Sequence, residues 1–333
     1  MRVFDFTRFE EDFYPEWESR FRIGGGIGDF SYAPAGKPCL YGTTDILFCR
    51  AVMNRLELTE TQKDEWSDTV NSFQDSSTTW YRKVYTHNHF KEHTTAYAVA
   101  ALHLIGRKPT HEFNWRKRLL SSRDEMERWY NKIPWSIIWP ASHIVSGIPA
   151  IMAMLGNGSD DFFDWYFNRL DRDADPQTGF WKKGLVHRLG IIKRSTKHEM
   201  GGAFHMYFVY EYMARKWLYP EKVIDETLKL QHANGLWDKD VTYCIDLDGV
   251  YSLLRSSRNA CGYRADDVKN SCLRYLDAAE WILNDRRFFF SRYSNTHLLP
   301  GALAAIAECQ KFYPGLVKTT RPWVQTLDKA CFI

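Results

Sequence analysis

The side chains able to do chemistry fall at recurring places along the chain. Asp45, His93, His143, His198, Glu199, His205, Asp246, Asp248, Tyr251, Tyr293, Asn295 and His297 are groups that exchange protons or fix a polar ligand. Asp246, Asp248, His205, Tyr251 and His297 are the candidate catalytic residues. Asp45, His93, His143, Glu199, Tyr293 and Asn295 are candidates for holding a substrate, with Trp181 and Trp237 as flat apolar surfaces. Asp246 and Asp248 stand two residues apart, a spacing that does not share a helix face. At a helix N-terminus the first residues are not yet on the regular spiral, so both can reach one cavity. His198, Gly201, Gly202 and His205 follow the i, i+3, i+4, i+7 rule and share a face, with the glycines leaving room for a ligand beside His205. His93, His143, His205 and His297, with Asp246 or Asp248, also include nitrogen and oxygen ligands of the kind zinc or another divalent metal takes. No local spacing motif marks a metal site, so no cofactor is assigned.

These groups need elements to position them, and the chain repeats itself in a way that supplies them. Thr44, His93, His143, Glu199, Asp246 and Thr296 each head a stretch that runs from a polar cluster into apolar and small residues, at steps of 49, 50, 56, 47 and 50 residues. Each reads as a helix start, where a side-chain oxygen accepts from a free backbone N–H. The stretches that follow are apolar nearly all round, as helices buried on every side are. Between them lie more polar, amphipathic segments: Glu57–Gln74, Asn114–Asn131, Asp160–Asp171, Glu221–Gln231, Asp266–Asp285 and Leu316–Ala330. Alternating buried and amphipathic helices bury their faces together by closing a ring. The expected fold is therefore all-α, an (α/α)6 toroid of six inner and six outer helices over residues 43–333. Residues 1–42 are expected to form an extension or lid packed on the rim. Their glycine run, Gly24-Gly25-Gly26-Ile27-Gly28, reads as a turn or as a cradle for a phosphate.

Three links between the two helix sets share a pattern: Gln74 to Trp80, Asp175 to Trp181, and Gln231 to Trp237. In each a polar residue ends a helix, a turn follows, and a Trp packs back. The pattern resembles the glutamine–tryptophan repeat of squalene-cyclase and protein-prenyltransferase toroids, which implies their fold and chemistry on isoprenoids. Leu247-Asp248-Gly249-Val250-Tyr251-Ser252 resembles the prenyltransferase β-subunit segment whose Asp and Cys bind zinc together with a His on the last inner helix. Asp248 and His297 stand at the Asp and His positions, whereas Val250 replaces the Cys. The terpene-cyclase branch carries Asp-x-Asp-Asp, whose neutral middle Asp delivers a proton. The nearest string here, Asp246-Leu247-Asp248-Gly249, is one carboxylate short.

Composition narrows the remaining choices. The 333 residues carry 44 Lys and Arg against 41 Asp and Glu, a net charge of +3, too balanced for a general nucleic-acid binder. No run of eighteen apolar residues and no apolar N-terminal signal region is visible, so neither a membrane span nor secretion is expected. Seven irregularly spaced cysteines without a C-x-x-C fit reduced thiols in the cytoplasm. Aromatic residues make up 16%. Basic residues gather at Lys182-Lys183, His187-Arg188, Lys193-Arg194 and Lys197-His198, where they could hold an anionic substrate at the cavity mouth. The leading expectation is an isoprenoid transferase or cyclase. A carbohydrate-active toroid, lyase or glycoside hydrolase, binding an oligosaccharide on Trp and Tyr faces, is the second. A non-catalytic binding toroid with a narrow, side-chain-filled cavity is the third.

Overall fold

The computed structural model describes residues 2–82, 89–183, 185–192 and 194–333, with the side chains of Val186 and Arg188 left aside. Lys193 and the Arg188 side chain of the basic cluster therefore lie outside the described residues. The chain is mostly helical, as expected. A short strand, β1 (Phe4–Asp5), and a π-helical turn at Phe9–Phe13 lead into α1 (Tyr14–Ser19). Then come α2 (Leu40–Val52), α3 (Glu60–Asn71), α4 (Lys91–Leu104), α5 (Asn114–Leu119), α6 (Arg123–Asn131), α7 (Ile138–Leu155) and α8 (Asp160–Asp173). The second half holds α9 (Leu185–Arg188), α10 (Lys197–Tyr212), α11 (Pro220–Leu230), α12 (Cys244–Asn259), α13 (Ala265–Asn284), α14 (Arg286–Arg292) and α15 (Leu299–Phe312), followed by β2 (Val317–Lys318). β1 and β2 pair in parallel, Phe4 opposite Val317, which joins the two ends of the chain.

The six repeated segments become α2, α4, α7, α10, α12 and α15. Their sequences are apolar on all sides and their burial follows: α10 is buried from Glu199 to Tyr210, α12 from Ile245 to Ser256, α15 from Leu299 to Cys309. Each packs on the next in chain order, and α15 packs back on α2. Around them, α3 lies on α2 and α4, α11 on α12, and α13 on α12 and α15. Reciprocal caps fix some starts: Thr59 with Gln62 at α3, Thr196 with Glu199 at α10. Asn114–Asn131 is two helices, because Ser122 caps a second start. α7 is long and apolar enough to cross a bilayer, a feature the run of apolar residues alone did not show. Here it is a packed element held between α4 and α10.

Leu316–Ala330 is not an α-helix. Pro314 and Gly315 precede it and Pro322 interrupts it. It runs instead as a buried tail. Val324 N–H donates to the Val52 carbonyl (2.7 Å), Gln325 Nε2 to that of Ala304 (3.0 Å), and the Cys331 thiol lies 3.8 Å from that of Ala150. The N-terminal segment packs nearby through buried Phe9, Phe13, Tyr14 and Trp17, with Trp17 Nε1 donating to the Tyr293 carbonyl (2.7 Å) and Glu18 paired with Arg50. In its glycine run the Gly26 N–H donates to the Asp29 carboxylate (2.8 Å), so this turn is already folded around an anion of its own.

The three links align more closely in space than in sequence. Thr79, Gly179 and Gly235 all have φ between 64° and 90°, the left-handed turn that glycine adopts without strain. The next residues, Trp80, Phe180 and Leu236, close the turn by accepting from Asp75, Asp175 and His232 N–H at 3.0, 2.8 and 2.7 Å. Tyr81, rather than Trp80, is thus the counterpart of Trp181 and Trp237. Trp181 Nε1 donates to Leu170 O and Trp237 Nε1 to Thr227 O, both at 2.9 Å, while Tyr81 Oη bonds Asn71 (2.5 Å), so each ring ties down the preceding outer helix.

Below the site, Arg255 of α12 ties four pieces together. It pairs with buried Glu308 of α15, Glu211 of α10 (3.4 Å) and Asp328 of the tail (2.8 Å). Truncating one partner of a buried pair strands the other charge. Arg255→Ala is expected to lower unfolding free energy by about 3–5 kcal/mol, read from the urea midpoint at unchanged slope. A loss below about 1 kcal/mol would place the pair in the class of solvent-screened bridges.

Candidate functional site

The polar heads of the buried helices gather in two neighbouring clusters. His93 opens α4 and His143 lies in the second turn of α7; their ring centres are 4.6 Å apart. His89, just ahead of α4, stacks on His93 at 4.0 Å and stands 5.2 Å from both His143 and His297. His205 of α10 lies 5.7 Å from His93 and 5.5 Å from His143. The tail forms the far wall, with the Phe332 ring 4.8 Å from His93 and 6.1 Å from His205.

Asp45 organises one side. Its carboxylate accepts from Tyr97 Oη (2.6 Å) and Thr296 Oγ1 (2.7 Å) and faces His297 Nδ1 at 2.9 Å. Tyr41 Oη is 2.9 Å from His89 Nδ1. On the other side Ser142 Oγ is 2.8 Å from His205 Nδ1. Burial holds the imidazoles of His93 and His205 neutral: His205 is lowered to about 3, and His93 falls well below its usual range, helped by the neighbouring histidines. The Nδ1 of His93 is buried with no hydrogen-bond partner among the described residues.

Trp139 of α7 joins this cluster to the second one. Its ring lies 5.9 Å from His143 and from His198 and 5.2 Å from His205. His198 and His205 thus share the face their spacing assigns. The space at Gly201 is filled, since a Cβ there would meet both the Trp139 ring and the Asp248 carboxylate. Asp248 is 1% exposed and neither oxygen has a hydrogen-bond partner among the described residues. Burial, and then the nearby Asp246, pushes its carboxyl well above the usual range. Asp246 is different. It accepts from the backbone N–H groups of Trp237 (2.7 Å) and Tyr243 (3.2 Å), and these bonds offset part of the burial, leaving it near 7. Its place is the one Thr95 fills at the first link, where Thr95 Oγ1 accepts from Tyr81 N–H (3.1 Å).

Several other candidates are taken up by the scaffold. Tyr293 Oη donates to the Thr242 carbonyl (2.7 Å), and Asn295 caps the turn carrying His297 (3.1 Å). Glu199 caps α10 and pairs with His187. Trp237 packs under Gly249, and Tyr251 sits beneath the Arg255 guanidinium at 4.7 Å. Trp181 lines a cavity of about 220 Å³ at the rim, with Trp135, Trp139, His187, His198 and Glu199. His89, Trp139 and Phe332 were missed by sequence reasoning. His89 and His93 stand four apart, a spacing that places two imidazoles on one helical side and could have marked them. Nothing in the sequence marks Trp139 or Phe332.

No family model, no curated protein and no solved structure matches the chain.

The two kinds of buried group predict opposite pH responses. A carboxyl raised by folding contributes stability at low pH that is lost as pH climbs above the unfolded value near 4. An imidazole depressed by folding contributes stability above about 6.5 that is lost as pH falls. Asp248→Asn removes only the first. Its stability relative to wild type is expected to rise by about 1.4 kcal/mol per pH unit above about pH 5, measured by denaturant titration at pH 5, 6 and 7. A difference independent of pH would mean that Asp248 titrates normally.

Proposed function

We propose that the cycle of helix contacts is an (α/α)6 toroid and that the chain is an enzyme protonating an isoprenoid, with Asp248 as the general acid. The observation that carries this reading is Asp248 itself: a buried carboxyl, unbonded and held protonated, against an indole ring. Burial keeps the proton on this carboxyl, and transfer to an alkene carbon then depends on stabilising the carbocation formed, which the carboxylate left behind faces. Trp139 offers that cation a π face. Aligned with the Asp-x-Asp-Asp string of terpene cyclases, Asp248 takes the proton-delivering place, and Asp246 supports the turn above it. The rim cavity, at about 220 Å³, is below the ~300–1,000 Å³ of pockets for drug-sized ligands. It suits a short isoprenoid or the leading end of a longer one. Asp248 does not line this cavity and would reach a ligand in it past the Trp139 ring, which borders both.

The same cavity favours a second reading. Trp135, Trp139 and Trp181 line it beside Glu199 and His198, a combination of flat apolar and polar walls on which a sugar ring stacks. Asp248 would then protonate a glycosidic oxygen.

Incubation of the purified chain with neutral prenyl chains and prenyl diphosphates, with products read by gas chromatography–mass spectrometry, is expected to yield cyclised or hydrated product. Asp248→Asn should lower turnover by about 10²–10⁴-fold with an unchanged circular-dichroism spectrum. Product only from oligosaccharides would select the sugar reading. Full turnover in Asp248→Asn removes the acid from both, and no product from either class leaves a binding toroid.

A further inference from the structure

We infer that His89, His93 and His143 form a binding site for one divalent transition-metal ion of the zinc class. The inference stands on imidazole geometry and does not depend on the role of Asp248. One ligand nitrogen from each residue lies within 4.8 Å of the other two. A tetrahedral ion with Zn–N bonds of about 2.0–2.1 Å holds its ligands roughly 3.4 Å apart. The three nitrogens therefore have to draw together by about 1.4 Å at most to hold one ion. Three nitrogen ligands with no thiolate and no carboxylate select zinc, cobalt, nickel or copper over magnesium or calcium, which take oxygen.

The surroundings are those of a ligand set. His93 and His143 are buried, and His89 is half-buried, so the ion would be reached from the His89 side. Tyr41 Oη, at 2.9 Å from His89 Nδ1, fixes that ring and directs Nε2 away from it, and Tyr41 is itself 3.2 Å from Thr94 Oγ1. Such outer partners orient metal-binding histidines. His297 stands next to His89, turned by Asp45 through the same carboxylate–imidazole bond. It stands outside the three-residue set and would be the base beside a metal-bound water.

The prenyltransferase-like set of Asp248 and His297 is a different one. Asp248 lies by Gly201 and Trp139 on the α10–α12 side, whereas His297 is bonded to Asp45 of α2.

The test uses the full, untagged chain stripped with chelator. Equilibrium dialysis against zinc with elemental analysis is expected to give one ion per chain, and cobalt should give the intense visible bands of a four-coordinate site. His89→Ala and His143→Gln should each weaken binding by at least about 100-fold, and Tyr41→Phe by about 10-fold. His89→Ala, at the half-buried position, is the variant that tests the site should His143→Gln fail to fold. Absence of stoichiometric uptake by the wild-type chain overturns the proposal, as does affinity undiminished in His89→Ala. Metal content unchanged in Asp248→Asn would separate this site from the acid.

Discussion

A helix buried on every side has no face to spare for water, and that constraint shapes the molecule. α10, α12 and α15 bury nearly all their residues, so each needs a neighbour on both flanks and another behind. Contacts that pass from α2 through α15 and return to α2 meet that need with no unpaired edge. The amphipathic helices then cover the outside, and the aromatic links fasten them, each by one indole or phenol hydrogen bond to the helix before.

Bundling helix starts together gathers their polar residues at one place. Most of those residues are consumed in holding the starts: Glu199 and Asp246 accept backbone N–H groups, and Asn295 does the same for the turn before α15. The remainder separates into two neighbourhoods divided by Trp139. One is a set of imidazoles steadied by Asp45, Tyr41 and Ser142. The other is an isolated acid. Hydrogen bonding decides the difference between the two aspartates. Two backbone donors to a charged acceptor offset part of a burial penalty of a few kcal/mol, and Asp248 has no such donor among the described residues.

The tail gives the interior its depth. Phe332 seals the imidazoles from beneath, and Arg255 fixes the tail to three inner helices through Glu308, Glu211 and Asp328.

The sequence by itself determined the helical class, the six buried helices and their roughly fifty-residue step, because all-round apolarity and N-terminal caps are local signals. It also marked Asp45, His93, His143, His205, Asp248 and His297 as polar groups on helices that must be buried. Tertiary structure alone decided which of them meet. His89 lies four residues before His93, yet its partner His143 comes from another helix. Trp139 and Phe332 reach the cluster only because α7 and the tail cross it. Leu316–Ala330 read as an amphipathic helix, but Pro322 and the pairing of β2 with β1 outweighed its helix-like composition. Whether a carboxylate is a cap or an acid rests on donors from a distant turn, and no spacing within one segment encodes that.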